Sequence, residues 1–183
     1  MTHLSAVLQF TFAQEGGFQA MRGDPGNWTG AAVGAGALVG TNMGISAPVL
    51  AHWRHAPITQ ADMKGLALTE ATAIAGALFG NPLCVEQLPP GVDLMAFELA
   101  WGSGLYFGAT TLQGAVGAAA DGFVGPATVA AALAADATAT ITAMDAACRA
   151  KYRSLDTFAE FGAGWMARAD RRVTAAMAMI AVS

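Results

Sequence analysis

Apolar residues recur at helical spacing along this chain, and no stretch alternates β-branched with polar residues as a half-buried strand would. Leu4, Leu8 and Phe12, for example, are each four residues apart. Hydrophobic residues make up 55% of the 183 residues, but many of them are alanine, which favours helix over strand. We therefore expect a mainly α fold, in one domain or two small subdomains with a real core.

A carboxylate is predicted at the end of the first helix. The spacing predicts this helix over residues 4–14, and Glu15 continues its buried stripe three residues after Phe12. Gly16 and Gly17 should then end the helix in a left-handed conformation. Desolvation and the negative end of the helix dipole both favour the protonated carboxyl that a general acid requires. The alternative is a helix-terminal glutamate that turns to solvent.

A second carboxylate and a hydroxyl group follow in a polar stretch. Asp24 begins an Asp-Pro-Gly sequence, and eight residues separate it from Glu15. Thr41 comes later, shortly before a Gly-Ile-Ser sequence. Asp-Pro-Gly is also ordinary turn chemistry, in which the aspartate side chain caps its own backbone. Asp24 is therefore either a second functional carboxylate or a turn residue.

Three segments of this stretch, taken in order, resemble one family signature. They are EGGF at 15–18, DPG at 24–26 and TNMGIS at 41–46. They are similar to the E-G-G-Y…D-P-G-G…T-N-x-G-I-T pattern of glycoside hydrolase family 108, predicted N-acetylmuramidases found as phage endolysins and bacterial lysozyme-like proteins. The resemblance implies a peptidoglycan hydrolase that cleaves the β-1,4 bond between N-acetylmuramic acid and N-acetylglucosamine.

The resemblance also implies roles for individual residues. Glu15 would be the general acid. The spacing from Glu15 to Asp24 is similar to that of phage-type lysozymes, and by that analogy Asp24 and Thr41 stabilise the oxocarbenium-like centre or position the attacking water. Three further residues of this stretch are implied as substrate-binding: Phe18, Trp28 and Asn42.

Residues 31–40 form an insertion relative to the shortest family pattern, just before Thr41. Glycines at positions 30, 34, 36 and 40 make the loop flexible. Such a loop suits a flap over a sugar cleft and equally suits a small hairpin. The expected fold is thus a lysozyme-like helical domain with an extended Gly-rich loop or small hairpin, followed by a C-terminal helical subdomain.

A buried helix is predicted from Val92 to Trp101, and it leads into a second motif. Residues 97–104 resemble the family sequence F-D-x-A-x-N-S-G, with Glu98 in place of the usual Asp and Gly102 in place of the usual Asn. Glu98 and Ser103 are implied as substrate-binding, and Glu98 is the main rival for the catalytic carboxylate. A serine nucleophile at Ser103 is disfavoured because Trp101 stands where a nucleophile elbow needs glycine.

The best candidate boundary in the chain is Pro89-Pro90-Gly91. We expect a lysozyme-like catalytic region over residues 1–88 and a helical region over residues 89–183, packed together as one globule. Residues 112–128 resemble the L-Q…G…D-G-x-x-G-P-x-T repeat of helical peptidoglycan-binding modules. In that repeat Asp121-Gly122 should form a turn, and Pro126 should begin a helix.

Charge and composition limit the partners. A net charge of −4 offers no broad attraction to nucleic acid. The uncharged segment 99–120 is too rich in glycine for a membrane span, so no stable membrane insertion is expected. No metal or other cofactor is expected, because Cys84 and Cys148 are far apart and His52 and His55 have no third ligand in view.

We find no Sec-type signal at the N-terminus. For an endolysin this implies that the protein waits in the cytoplasm until holin-type or other export brings it to the cell wall. Two other functions are considered: a lytic transglycosylase that uses the same acid, and a non-catalytic peptidoglycan-binding or secretion-associated protein. Arg168, Arg171 and Arg172 are expected on a solvated helix face, paired with Asp170 and other acids.

Overall fold

The structure is a computed structural model that describes residues 2–181, and most of these residues are helical. The mainly α fold predicted from the sequence is confirmed. The helices are α1 (His3–Gln14), α2 (Ala47–Arg54), α3 (Gln60–Lys64), α4 (Leu68–Ala75), α5 (Val92–Ser103), α6 (Leu105–Ala115), α7 (Pro126–Ala134), α8 (Ala137–Arg153) and α9 (Phe158–Ala181). Two short antiparallel strands, β1 (Thr41–Asn42) and β2 (Ile45–Ser46), form a hairpin.

The chain divides into two compact units. We call residues 8–75 the N-terminal unit and residues 1–7 with 76–183 the flanking unit. Helix α1 therefore begins in the flanking unit and ends in the N-terminal unit. The bounds of the two units reflect how the chain packs. The assignment of residues 1–88 to a catalytic region and of residues 89–183 to a helical region stays a prediction.

Helix α5 is the centre of the flanking unit. Every residue from Val92 to Ala100 is buried, and α6, α8 and α9 pack against it. This burial confirms the helix predicted from the apolar run. Gly91, which precedes α5, has φ +84, and a Cβ there would lie 2.3 Å from the Ala176 carbonyl oxygen. Only glycine permits this approach of α5 to α9.

Local sequence signals account for the β hairpin and helices of the N-terminal unit. Met43 and Gly44 have φ 49 and 75, so the two-residue turn between β1 and β2 has positive φ at both positions. Thr59 caps α3, because its hydroxyl accepts from the Asp62 amide and the Asp62 carboxylate accepts from the Thr59 amide.

Within residues 2–181 no single helix is long and apolar enough to cross a membrane, although the bent pair of α7 and α8 would pass by length and composition alone.

The predicted solvated arginine face of α9 is wrong at Arg172, which is only 1% exposed. Its Nη2 donates to Cys148 Sγ at 3.2 Å and lies 3.8 Å from Asp145 Oδ1. Arg149 binds the other oxygen of Asp145 at 2.6 Å. The charge is therefore held inside the flanking unit by groups on α8, and Cys148 is a free thiol rather than half of a disulfide.

The first turn of α1 is fixed by two carboxylates of the flanking unit. Glu86 accepts the backbone amides of His3 and Leu4 at 3.2 and 2.9 Å, and these contacts lower the pKa of Glu86. Asp93 is fully buried, with Oδ2 3.0 Å from His3 Nδ1. Burial raises the pKa of Asp93 from 3.8 to about 6, despite accepted hydrogen bonds and the nearby His3.

The raised pKa makes stability depend on pH. A raised carboxyl pKa contributes stability that is full below pH 3.8 and is lost as pH rises through about 6. Between pH 4 and 8 the free energy of unfolding of the wild type should fall by about 2–3 kcal/mol more than that of Asp93→Asn. The side-chain oxygen of the variant can still accept the Gly91 and Leu94 amides. Urea unfolding at several pH values measures this difference, and the exposed Asp156→Asn is the control. Parallel pH curves for wild type and Asp93→Asn would contradict the prediction.

Candidate active site

Glu15 follows the last residue of α1 directly. Its amide donates to the Thr11 carbonyl at 3.2 Å, and its side chain is half-buried. Leu8 and Thr11 on the preceding turns are buried. The predicted left-handed cap is wrong, because neither Gly16 nor Gly17 has positive φ. Glu15 thus lies between the two environments considered from the sequence, the desolvated acid and the freely solvated side chain.

Gln19 and Thr41 join two segments that are distant in sequence. The Gln19 amide donates to the Thr41 carbonyl at 2.9 Å, and the Thr41 amide donates to the Gln19 carbonyl at 2.8 Å. Gly40, beside Thr41, has φ +102, and a Cβ there would lie 2.5 Å from the Gln19 carbonyl oxygen. The antiparallel pairing therefore requires glycine at position 40.

Asp24 and Thr41 are brought together around Gly26. Asp24 Oδ1 accepts the Gly26 amide at 2.8 Å, and Oδ2 accepts from Gln19 Nε2 at 3.3 Å. Thr41 Oγ1 lies 3.5 Å from the Gly26 carbonyl oxygen. The turn-capping alternative for Asp24 therefore describes one of its oxygens, because Asp24 caps the 3-10 turn Pro25–Asn27. Its second oxygen faces a side-chain donor.

The inserted loop pairs with itself as a hairpin. Trp28 and Leu38 form an antiparallel bridge, and the Thr29 amide donates to the Ala37 carbonyl at 3.0 Å. The half-buried Trp28 donates its indole N–H to the Arg22 carbonyl at 2.9 Å. Of the two alternatives for this loop, the backbone pairing therefore agrees with the hairpin.

Phe18 and Asn42 have different environments. Phe18 is half-buried, and Lys64 Nζ lies 5.0 Å from the centre of its ring. Asn42 is only 9% exposed, and its Nδ2 donates to the Met63 carbonyl at 2.9 Å. The Asn42 amide therefore supports the packing of β1 against α3.

Glu98 and Ser103 belong to the flanking unit. The Glu98 side chain is fully buried, and its two oxygens lie 3.2 and 3.3 Å from Nε and Nη2 of Arg168. This two-point ion pair occupies the carboxylate and disfavours Glu98 as a proton donor. Ser103 is half-buried at the end of α5. Gly102 is exposed, and a Cβ there would meet nothing within 4 Å.

Gln19 and Asn27 were missed by the sequence reasoning. Asn27 is fully buried, and its Nδ2 donates to Gln19 Oε1 and to the Met21 carbonyl, both at 3.1 Å. Gln19 in turn contacts Asp24. The only sequence signal was their place between the motif residues.

The predicted Asp121-Gly122 turn of the flanking unit is confirmed as a structural feature. Buried Gln113 donates through Nε2 to Asp121 Oδ1 at 2.7 Å and accepts the Gly122 amide at 2.9 Å. The Phe123 amide and then Gln113 lower the pKa of Asp121. Pro126 lies in the first turn of α7, as predicted.

The N-terminal unit therefore holds Glu15, directly after α1, and Asp24 and Thr41, which both contact Gly26. These are the three residues that the family resemblance implied as catalytic. The family model of Glycosyl hydrolase 108 matches residues 8–104, more than half of the chain. The chain belongs to this family, and it is a glycoside hydrolase that acts on peptidoglycan. The predicted C-terminal peptidoglycan-binding module lies outside the matched residues and stays a prediction.

A solved structure supports the assignment over nearly the whole chain. The structure of Brucella abortus SagA is 31% identical to it, with a TM-score of 0.81, and 97% of this chain and 95% of that chain are covered. The comparison with curated proteins found no match.

The Gln19–Thr41 pairing predicts contrasting effects at two glycines. Gly40→Ala should lower the free energy of unfolding by about 2–4 kcal/mol, because a Cβ there meets backbone at positive φ, and activity should fall with it. Gly23→Ala should change stability by less than about 0.5 kcal/mol, because an added Cβ there meets nothing within 4 Å. Urea unfolding and turbidity loss of a cell-wall suspension measure the two effects. Equal stability of the two variants would refute the importance of this pairing.

Proposed function

We propose that the protein is an N-acetylmuramidase that cleaves the β-1,4 bond between N-acetylmuramic acid and N-acetylglucosamine, with Glu15 as general acid. The observation that carries this proposal is the Gln19–Thr41 pairing, which brings Thr41 near Asp24 in the same unit as Glu15, the residue after α1. Membership of a glycoside hydrolase family favours this enzyme over the non-catalytic alternative.

In the proposed reaction, Glu15 gives its proton to the oxygen of the leaving sugar as the glycosidic bond breaks. The Asp24 carboxylate faces the positive charge that develops at the anomeric carbon, or it orients the attacking water together with the Thr41 hydroxyl. The proton that this water loses passes to the Glu15 carboxylate in the first case and to Asp24 in the second. The Gly26 amide and the Gln19 side chain hold Asp24 for this task. The carboxylate acts through a fixed position, so no rearrangement is needed when charge develops.

We propose sugar contacts for the aromatic residues nearest the motifs. Phe18 and Trp28 are both half-buried, so each has ring surface that can lie against the apolar face of a sugar. Ser103 stays a predicted substrate residue. Asn42 and Glu98 are engaged by Met63 and Arg168, and we assign them structural roles.

A conservative substitution tests the proton donor. Glu15→Gln should lower kcat on purified peptidoglycan by about 10²–10⁴-fold, because an amide cannot act as general acid. Glu160→Gln, an exposed glutamate in the first turn of α9, is the matched control and should retain wild-type kcat. Unchanged release of soluble sugar by Glu15→Gln would show that another group is the acid.

The chemistry of the released ends separates hydrolysis from transglycosylation. Mass analysis of digested peptidoglycan should find reducing N-acetylmuramic acid ends, because water attacks in the proposed reaction. Anhydro ends, lighter by one water, would establish the lytic transglycosylase instead. Reducing N-acetylglucosamine ends would refute the proposed bond while leaving the hydrolase in place.

We also propose an endolysin role, with the protein held in the cytoplasm until a holin-type opening of the membrane. Expression with and without a co-expressed holin tests this, since lysis should require both proteins. Lysis without the holin would contradict the proposed release.

A further inference from the structure

Gln19 contacts both residues that the proposed function places around the developing charge. Its backbone pairs with Thr41 through two hydrogen bonds of 2.9 and 2.8 Å. Its side chain donates to Asp24 Oδ2 at 3.3 Å. Gly26 also contacts both residues, but it does so through backbone groups alone.

The direction of the Gln19 amide is fixed by backbone groups of Met21. The Met21 amide N–H, which can only donate, lies 3.3 Å from Gln19 Oε1. The Met21 carbonyl, which can only accept, receives Asn27 Nδ2, and the same Nδ2 donates to Gln19 Oε1. The oxygen of Gln19 is thus assigned, and its NH₂ group is the end that faces Asp24.

We propose that Gln19 is a positioning residue for the glycosidase reaction, which sets the Asp24 carboxylate in place beside Thr41 through its side-chain N–H. This inference rests on the proposed function, because it assumes that Asp24 assists the reaction. Gln19 donates one hydrogen bond to Asp24 Oδ2, while the Gly26 amide holds Oδ1. The two donors fix both the place and the rotation of the carboxylate.

Gln19→Met removes the donor and keeps the length of the side chain. kcat on soluble glycan fragments should fall about tenfold, as expected for loss of one hydrogen bond to a charged group. KM should stay within about twofold, because the contact acts on the reacting centre rather than on substrate binding. Wild-type kcat in Gln19→Met would overturn the proposal.

Gln19→Glu gives a readout that a purely structural role would not move. The introduced carboxyl can still accept from Met21 and Asn27, but at neutral pH it repels Asp24 instead of donating to it. As pH falls from 7 to 4 it takes up a proton, since glutamate ordinarily titrates near about 4.3, and it can again donate to Asp24. The ratio of its kcat to that of wild type should rise about tenfold over this range. A ratio independent of pH would overturn the proposal.

A double-substitution cycle separates this inference from the proposed function. If Gln19 acts through Asp24, Gln19→Met should cost no further activity in an Asp24→Asn background. Additive losses would overturn the role of Gln19 while leaving Asp24 in place. Wild-type kcat in Asp24→Asn would instead remove Asp24 from the reaction, and the role of Gln19 with it.

The flanking unit offers a matched control. Asp136 caps α8, because its carboxylate accepts the Ala139 amide at 2.7 Å. Asp136→Ala should lower the unfolding temperature through loss of this cap, and it should leave kcat on the soluble fragments unchanged. A kcat loss equal to that of Gln19→Met would overturn the proposal, because the effect would then reflect a weakened fold.

Discussion

The backbone pairing of Gln19 with Thr41 is the contact on which the candidate site depends. It closes a segment of the chain so that the residue after Phe18 meets the residue after Gly40. The Val39 and Gly40 amides both donate to the Asn27 carbonyl at 2.9 and 3.0 Å, so the base of the inserted hairpin is also fixed there. Main-chain groups therefore set the positions from which the functional side chains project.

The candidate carboxylates have different surroundings. In the flanking unit, the Glu98 side chain is fully buried and paired with Arg168. In the N-terminal unit, Glu15 and Asp24 are half-buried, so solvent and substrate can reach them. Buried ion pairs are strongly unfavourable when one partner is removed, whereas a half-exposed carboxylate can exchange protons. The second environment suits acid–base chemistry better than the first.

Local sequence signals predicted a turn and the start of a helix, because such signals act within a few residues. The turn is Asp121-Gly122, and the helix is α7, which begins at Pro126. Contacts between distant residues were not predictable in this way, since Glu98 and Arg168 are 70 residues apart. Arg172 was misplaced for a related reason: its burial depends on Asp145 and Cys148 of another helix.

The sequence also predicted only some of the residues of the candidate site. The family-like motifs identified Asp24 and Thr41, and the structure places both beside Gly26. Gln19 and Asn27 carried no signal of their own, because their contacts exist only once the backbone has folded. Gly102 lies in α5 with no positive φ, and an added Cβ there would meet nothing within 4 Å. A larger side chain at this position therefore leaves the fold intact. A side chain introduced there would alter the surface next to Ser103 without a steric clash with the rest of the protein.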